Sequence, residues 1–144
     1  MTTPGHKLRT LTLVKRLTLL FALAFTDPVL AAEPYLHELL ERPAYRTSWD
    51  QLLQSEERLP RWISVFSRTF NGVTVPSTVV RVRGREYRYG RVCKPHDCVG
   101  NELHVLFSPD GRRAWGFLGD NAVPRWLGHP DEAIRAAISR AVEQ

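Results

Sequence analysis

Leu103-His104-Val105-Leu106-Phe107-Ser108-Pro109-Asp110-Gly111-Arg112-Arg113-Ala114-Trp115-Gly116-Phe117-Leu118 carries the clearest structural signal in the chain. Two runs rich in β-branched and aromatic residues flank Ser-Pro-Asp-Gly, and Asp-Gly tolerates the positive φ of a tight turn, so the segment reads as a β-hairpin. Working upstream, Thr78 to Val82 is β-branched and alternating, Gly84 marks a turn, and Tyr87 to Cys93 alternates again, which predicts a second hairpin. Downstream, Ala122 to Leu127 supplies a fifth strand.

The period changes on either side of this block. From Tyr35 to Arg58, Leu36, Leu39 and Leu40, then Trp49, Leu52 and Leu53, fall at helical spacing, with Pro43 opening a second helix. Leu59-Pro60-Arg61-Trp62-Ile63 reads as a short turn that brings Trp62, with Phe66 and Phe70, onto the core. At the other end Pro130 stands at the expected first helical position, Asp131 and Glu132 lie in the first turn, and Ile134, Ala137, Ile138, Ala141 and Val142 make one apolar stripe. The expected architecture is α+β: an antiparallel β-sheet of about five strands flanked by α-helices, in a single domain.

The chain has 144 residues and a formal charge of +5. Much of that charge, Lys7, Arg9, Lys15 and Arg16, precedes the uncharged run Leu17 to Phe25 and the segment Val29-Leu30-Ala31. A basic region, a short apolar run and a small-residue site together read as a secretory signal peptide over residues 1–31, cleaved after Ala31. The run is far short of the roughly 20 residues a spanning helix needs, so no membrane association is expected after cleavage. Residues 32–144 then keep 16 basic against 14 acidic side chains. With that balance, and a location outside the inner membrane, nucleic acid is not an expected partner.

The only two cysteines bound the hexapeptide Cys93-Lys94-Pro95-His96-Asp97-Cys98. In an exported protein, cysteines five positions apart are expected to pair. A ring this small adds only about 2 kcal/mol by the chain-entropy model, so its effect is local: it stiffens a knob carrying a cation, an imidazole and a carboxylate. Four readings compete. Thiol exchange prefers Cys-x-x-Cys at a helix N-terminus. A zinc site needs three or four ligands, and distant His104 and His129 do not complete one, so no metal or other cofactor is expected. The remaining two are a purely structural stapled turn and a pre-organised binding loop.

Cys-Lys-Pro-His-Asp-Cys resembles the signature loop of the inhibitor of vertebrate lysozyme (Ivy) family, periplasmic proteins of Gram-negative bacteria that block C-type lysozymes. Leu59-Pro60-x-Trp62 ahead of the sheet and Val105-Leu106-Phe107-Ser108 after the loop extend the likeness. The resemblance implies a non-enzymatic inhibitor whose loop, shaped by a Cys93–Cys98 disulfide, enters the lysozyme cleft, where His96 meets the catalytic carboxylates. Lys94 would add attraction to that acidic floor, Pro95 would set the approach, and Asp97 would act as an internal acceptor holding the loop or orienting His96. The cell's own lytic transglycosylases are an alternative target, and a homodimer stays open.

Other features read more plainly. Arg81, Arg83, Arg85, Arg88 and Arg91 fit the solvated side of a hairpin that guards a sheet edge. Trp49, Trp62, Trp115 and Trp126 fit core packing better than a sugar platform. His37, His104 and His129 have no partners visible in the sequence. A glycosidase needs two carboxylates facing one cleft, and no such pair stands out.

Overall fold

The computed structural model describes residues 1–2, 5, 32–121 and 123–144. The proposed leader lies outside the described residues, apart from three positions near its start. Ala31–Gln144 forms one compact unit. Its elements run α1 (Leu36–Leu39), α2 (Pro43–Gln54), α3 (Arg61–Thr69), β1 (Val73–Thr74), β2 (Thr78–Val82), β3 (Arg85–Cys93), β4 (Asn101–Phe107), β5 (Ala114–Asp120), β6 (Arg125–Leu127) and α4 (Glu132–Val142).

The sheet is antiparallel and six-stranded, in the order β1-β3-β4-β5-β6, with β2 pairing β3 beside β1. Arg83 and Gly84, at φ 50° and 75°, form the two-residue β2–β3 turn, the double left-handed step that matches strand twist. The β4–β5 loop is longer than the Asp-Gly pair suggests. Gly111 N–H donates to Ser108 O at 2.8 Å, so Pro109 and Asp110 fill the middle of a turn and Gly111, at φ 71°, ends it. The Ser108 hydroxyl and the Arg112 N–H both donate to Asp110, and these bonds hold its pKa below the usual carboxylate value.

Alternation along the strands sends side chains to two helical layers. Val92, Leu103, Val105, Phe107, Leu118 and Leu127 face α1, α2 and α3, where they bury Leu36, Trp49, Leu52, Ile63 and Phe66. Val82, Tyr89, Leu106 and Trp115 face α4 and bury Ile134, Ala137 and Ile138. Phe66 is fully buried with its ring 5.8 Å from that of Trp49, so truncating it to Ala is expected to cost about 3–5 kcal/mol.

The structure corrects four sequence expectations. Leu59–Ile63 does not stay a turn: Pro60 caps α3, in which Ile63 and Phe66 are buried and Trp62 packs against them. Ser64, Val65 and Ser67 are weak helix formers, and tertiary burial of one face overrides them. The final helix starts two positions later than expected, at Glu132. Pro130 precedes the cap, and Asp131 accepts from Ile134 N–H, which lowers the Asp131 pKa. A sixth strand, β1, pairs Val73 with Cys93. The last strand is confined to Arg125–Leu127, with Ala122 outside the described residues.

Arginines of the β2–β3 hairpin are drawn into ion pairs. Arg81 pairs with Glu86 at 3.0 Å, Arg83 with Asp131 at 3.1 Å and Arg88 with Glu33. All four tryptophans pack onto the two cores. No helix among the described residues is long and apolar enough to cross a membrane.

Candidate functional site

The hexapeptide forms the β3–β4 connection. Cys93 ends β3 opposite Glu102, and the chain leaves the sheet for seven residues before Asn101 begins β4. Cys93 and Cys98 are disulfide-bonded with Cα atoms 5.0 Å apart. Inside the ring, Asp97 N–H donates to Lys94 O at 3.1 Å. That turn has Pro95 second and His96 third, with His96 at φ 62°. A proline second and a left-handed third residue are the requirements of a type II turn, usually met by glycine at the third place. Histidine is one of the few other residue types that visits this region with any frequency. A second turn follows, in which Asn101 N–H donates to Cys98 O at 2.9 Å, and Lys94 N–H closes the base of the loop on Asn101 O at 3.0 Å.

The polar side chains are unequally engaged. Lys94 Nζ donates to Asp97 Oδ2 at 2.6 Å, so Asp97 acts as the internal acceptor, and its partner is the lysine rather than His96. Both side chains are more than 40% exposed, which limits an i,i+3 pair of this kind to well under about 1 kcal/mol. His96 is exposed and its ring makes no hydrogen bond to a described residue. The loop therefore presents one free imidazole on a backbone fixed by a disulfide, a proline and three hydrogen bonds.

Beneath the loop lies a polar row that sequence reading missed. The Tyr89 hydroxyl meets His104 Nδ1 at 2.6 Å, His104 Nε2 faces Glu102 at 3.4 Å, and Glu102 faces Arg91 at 3.6 Å. His104 is buried, and desolvation lowers its pKa although Glu102 opposes the shift. Burial likewise pushes the Tyr89 phenol up to about 12. The register Arg91↔His104 and Cys93↔Glu102 creates the row, and no spacing within one segment signals it. His37 also has a partner, Thr74 Oγ1 at 3.1 Å.

Asp50 and Glu56 line one hollow of about 460 Å³ with Glu57 and Arg68. Asp50 is held by Arg46 Nε at 3.0 Å with its side chain 36% exposed. Among the described residues no group of three or more His, Cys, Asp or Glu side chains could hold a metal ion.

The sequence profile of the family described as inhibitor of vertebrate lysozyme (Ivy) matches residues 44–144, more than half of the chain. The chain belongs to the Ivy family. Its relatives include the protein named inhibitor of vertebrate lysozyme from Pseudomonas aeruginosa, 34% identical over 142 residues, covering 88% of this chain and 90% of the relative. An uncharacterized Yersinia pestis protein is 32% identical over 131 residues, covering 82% of each chain. A second Pseudomonas aeruginosa protein, also uncharacterized, is 30% identical over 122 residues, covering 75% of this chain and 76% of its own. The Ivy match takes in the second and third helices, the whole sheet, the closed loop and α4, and begins after α1.

Proposed function

We propose that this Ivy family member is an exported inhibitor of C-type lysozyme that binds through the Cys93–Cys98 loop, with His96 as the central contact. The observation that carries this reading is the free imidazole of His96 at the exposed turn of a closed loop, in a chain 34% identical to a protein named as a lysozyme inhibitor. A lysozyme cleft holds two carboxylates, one protonated up to a pKa of about 6 and one ionised. An imidazolium placed between them donates from both ring nitrogens, and exclusion of water strengthens each bond. Ordering entropy is small because the loop is already closed. Lys94 contributes a positive charge softened by Asp97, and Pro95 sets the turn that carries His96. In this reading residues 1–31 are the leader, residues 32–144 act outside the inner membrane, and the protein itself performs no chemistry.

Titrating purified protein into a C-type lysozyme assay tests the proposal. Activity is expected to fall linearly to an end point at fixed stoichiometry, with no release of glycan fragments by the protein alone. Turnover of peptidoglycan by the protein alone, or no inhibition, would overturn it. A parallel arm with a bacterial lytic transglycosylase decides between targets of the same chemistry. N-terminal sequencing of the secreted form should begin at Ala32 or within two residues of it, and a start at Thr2 would remove the export argument.

A further inference from the structure

We propose that the β5–β6 connection is a second binding element, in which Val123 acts with Val99 to seat the protein against the apolar walls of the target's glycan-binding cleft. This inference rests on the reading of the Cys93–Cys98 loop as the part that enters that cleft.

Area sets the problem. A specific protein–protein interface buries roughly 800 Å² per partner and draws on about 20–30 residues a side. A six-residue ring cannot supply that alone, so a stable complex needs neighbouring surface. The register Asn101↔Asp120 places the β5–β6 connection at the same end of the sheet as the closed loop. At that end two large apolar side chains face solvent: Val99, 88% exposed, one residue past Cys98, and Val123, 62% exposed.

The two connections are also fastened together. Asn121 Nδ2 donates to Val99 O at 3.3 Å. The Asn121 amide occupies the space where residue 100 would carry a side chain, since a Cβ there would lie 1.9 Å from Asn121 Oδ1. Gly100 is therefore required twice, by that contact and by its φ of 69°. Through this lock Val123, two residues beyond Asn121, stays near the His96 loop, at most about 7 Å of chain from its anchor. Two exposed valines beside an imidazole knob suit a cleft with a carboxylate floor. Ligand pockets are lined mostly by apolar and aromatic groups, and in a glycan cleft these form the walls on which sugar rings stack.

Titration calorimetry of the mature protein against a C-type lysozyme tests this, using wild type, Val99→Ser, Val123→Ser, the double variant and Val79→Ser. Val79 is 43% exposed on β2, where it pairs with Arg88 away from the loop, and serves as the control. Each single loop variant should lose about tenfold in affinity and the double variant at least about thirtyfold, with a less negative heat-capacity change, because less apolar surface is buried on binding. The control should bind as wild type does. Unchanged affinity and heat capacity in the double variant, with wild type binding tightly, would overturn this inference and leave the His96 reading standing. An equal loss in Val79→Ser would overturn it as well. Failure of wild type to bind would remove both readings together.

Discussion

The Tyr89 hydroxyl and His104 Nδ1 lie 2.6 Å apart inside the sheet face that α4 covers. Glu102 can only accept, so the proton on the ring belongs on Nε2, and Nδ1 is left to accept from the phenol. The neutral imidazole satisfies both neighbours. A second proton on Nδ1 would turn that bond round, so that the phenol oxygen accepts and its buried hydrogen loses the ring as acceptor.

Stability should therefore fall on mild acidification. Burial holds the His104 pKa below its ordinary 6.5, so in the unfolded chain this group takes up a proton first as pH falls. The contribution of His104 is complete above about pH 6.5 and declines below it, until the folded state also binds the proton. Urea unfolding of wild type and His104→Gln from pH 8 to pH 5 checks this. The stability gap between the two should narrow toward acid, and a constant gap would rule out the assignment.

Removing the imidazole of His96 should weaken lysozyme binding by about 2 kcal/mol or more, the usual loss for a central desolvated anchor. The left-handed backbone at this position makes the choice of variant important. His96→Asn keeps a residue type that tolerates positive φ, and His96→Gly keeps the turn with no side chain, so both leave the loop shape intact. Melting temperatures should match wild type. Full affinity in both variants would mean that the loop acts by shape alone.

Opening the ring should cost binding more than folding. Cys93 is only 3% exposed, so Ala is the better replacement, and Cys93→Ala with Cys98→Ala should lower stability by no more than about 2 kcal/mol. Far-UV circular dichroism should remain that of the folded domain while lysozyme affinity drops through lost pre-organisation. Global unfolding of the double variant would show instead that the disulfide holds the domain together.

Gly111→Ala probes the fold at a distance from the loop. Gly111 has φ 71°, its carbonyl accepts from Ser48 Oγ at 2.7 Å, and a Cβ there would lie 2.7 Å from the Tyr45 ring. The backbone alone makes Ala cost about 1 kcal/mol or more, and the clash adds to it. Thermal unfolding should register the loss, whereas inhibition by the remaining folded protein should be unchanged.

The elements legible along the chain are those that depend on neighbouring residues. The period-two runs, with Gly84 and the Ser108–Gly111 segment between them, specified both hairpins, the stripe of Ile134, Ala137 and Ile138 specified α4, and the five-residue spacing of the cysteines specified a closed loop. Each signal is carried within a dozen residues, where local sterics and hydrophobic period act directly. Contacts between distant segments set α3, β1, the Tyr89–His104–Glu102–Arg91 row and the lock between Asn121 and Gly100. A nine-residue helix of weak formers and a two-residue strand gain their stability from the surfaces they pack on. Strand register decides which side chains meet across the sheet, and a one-residue slip would send His104 to the opposite face from Tyr89.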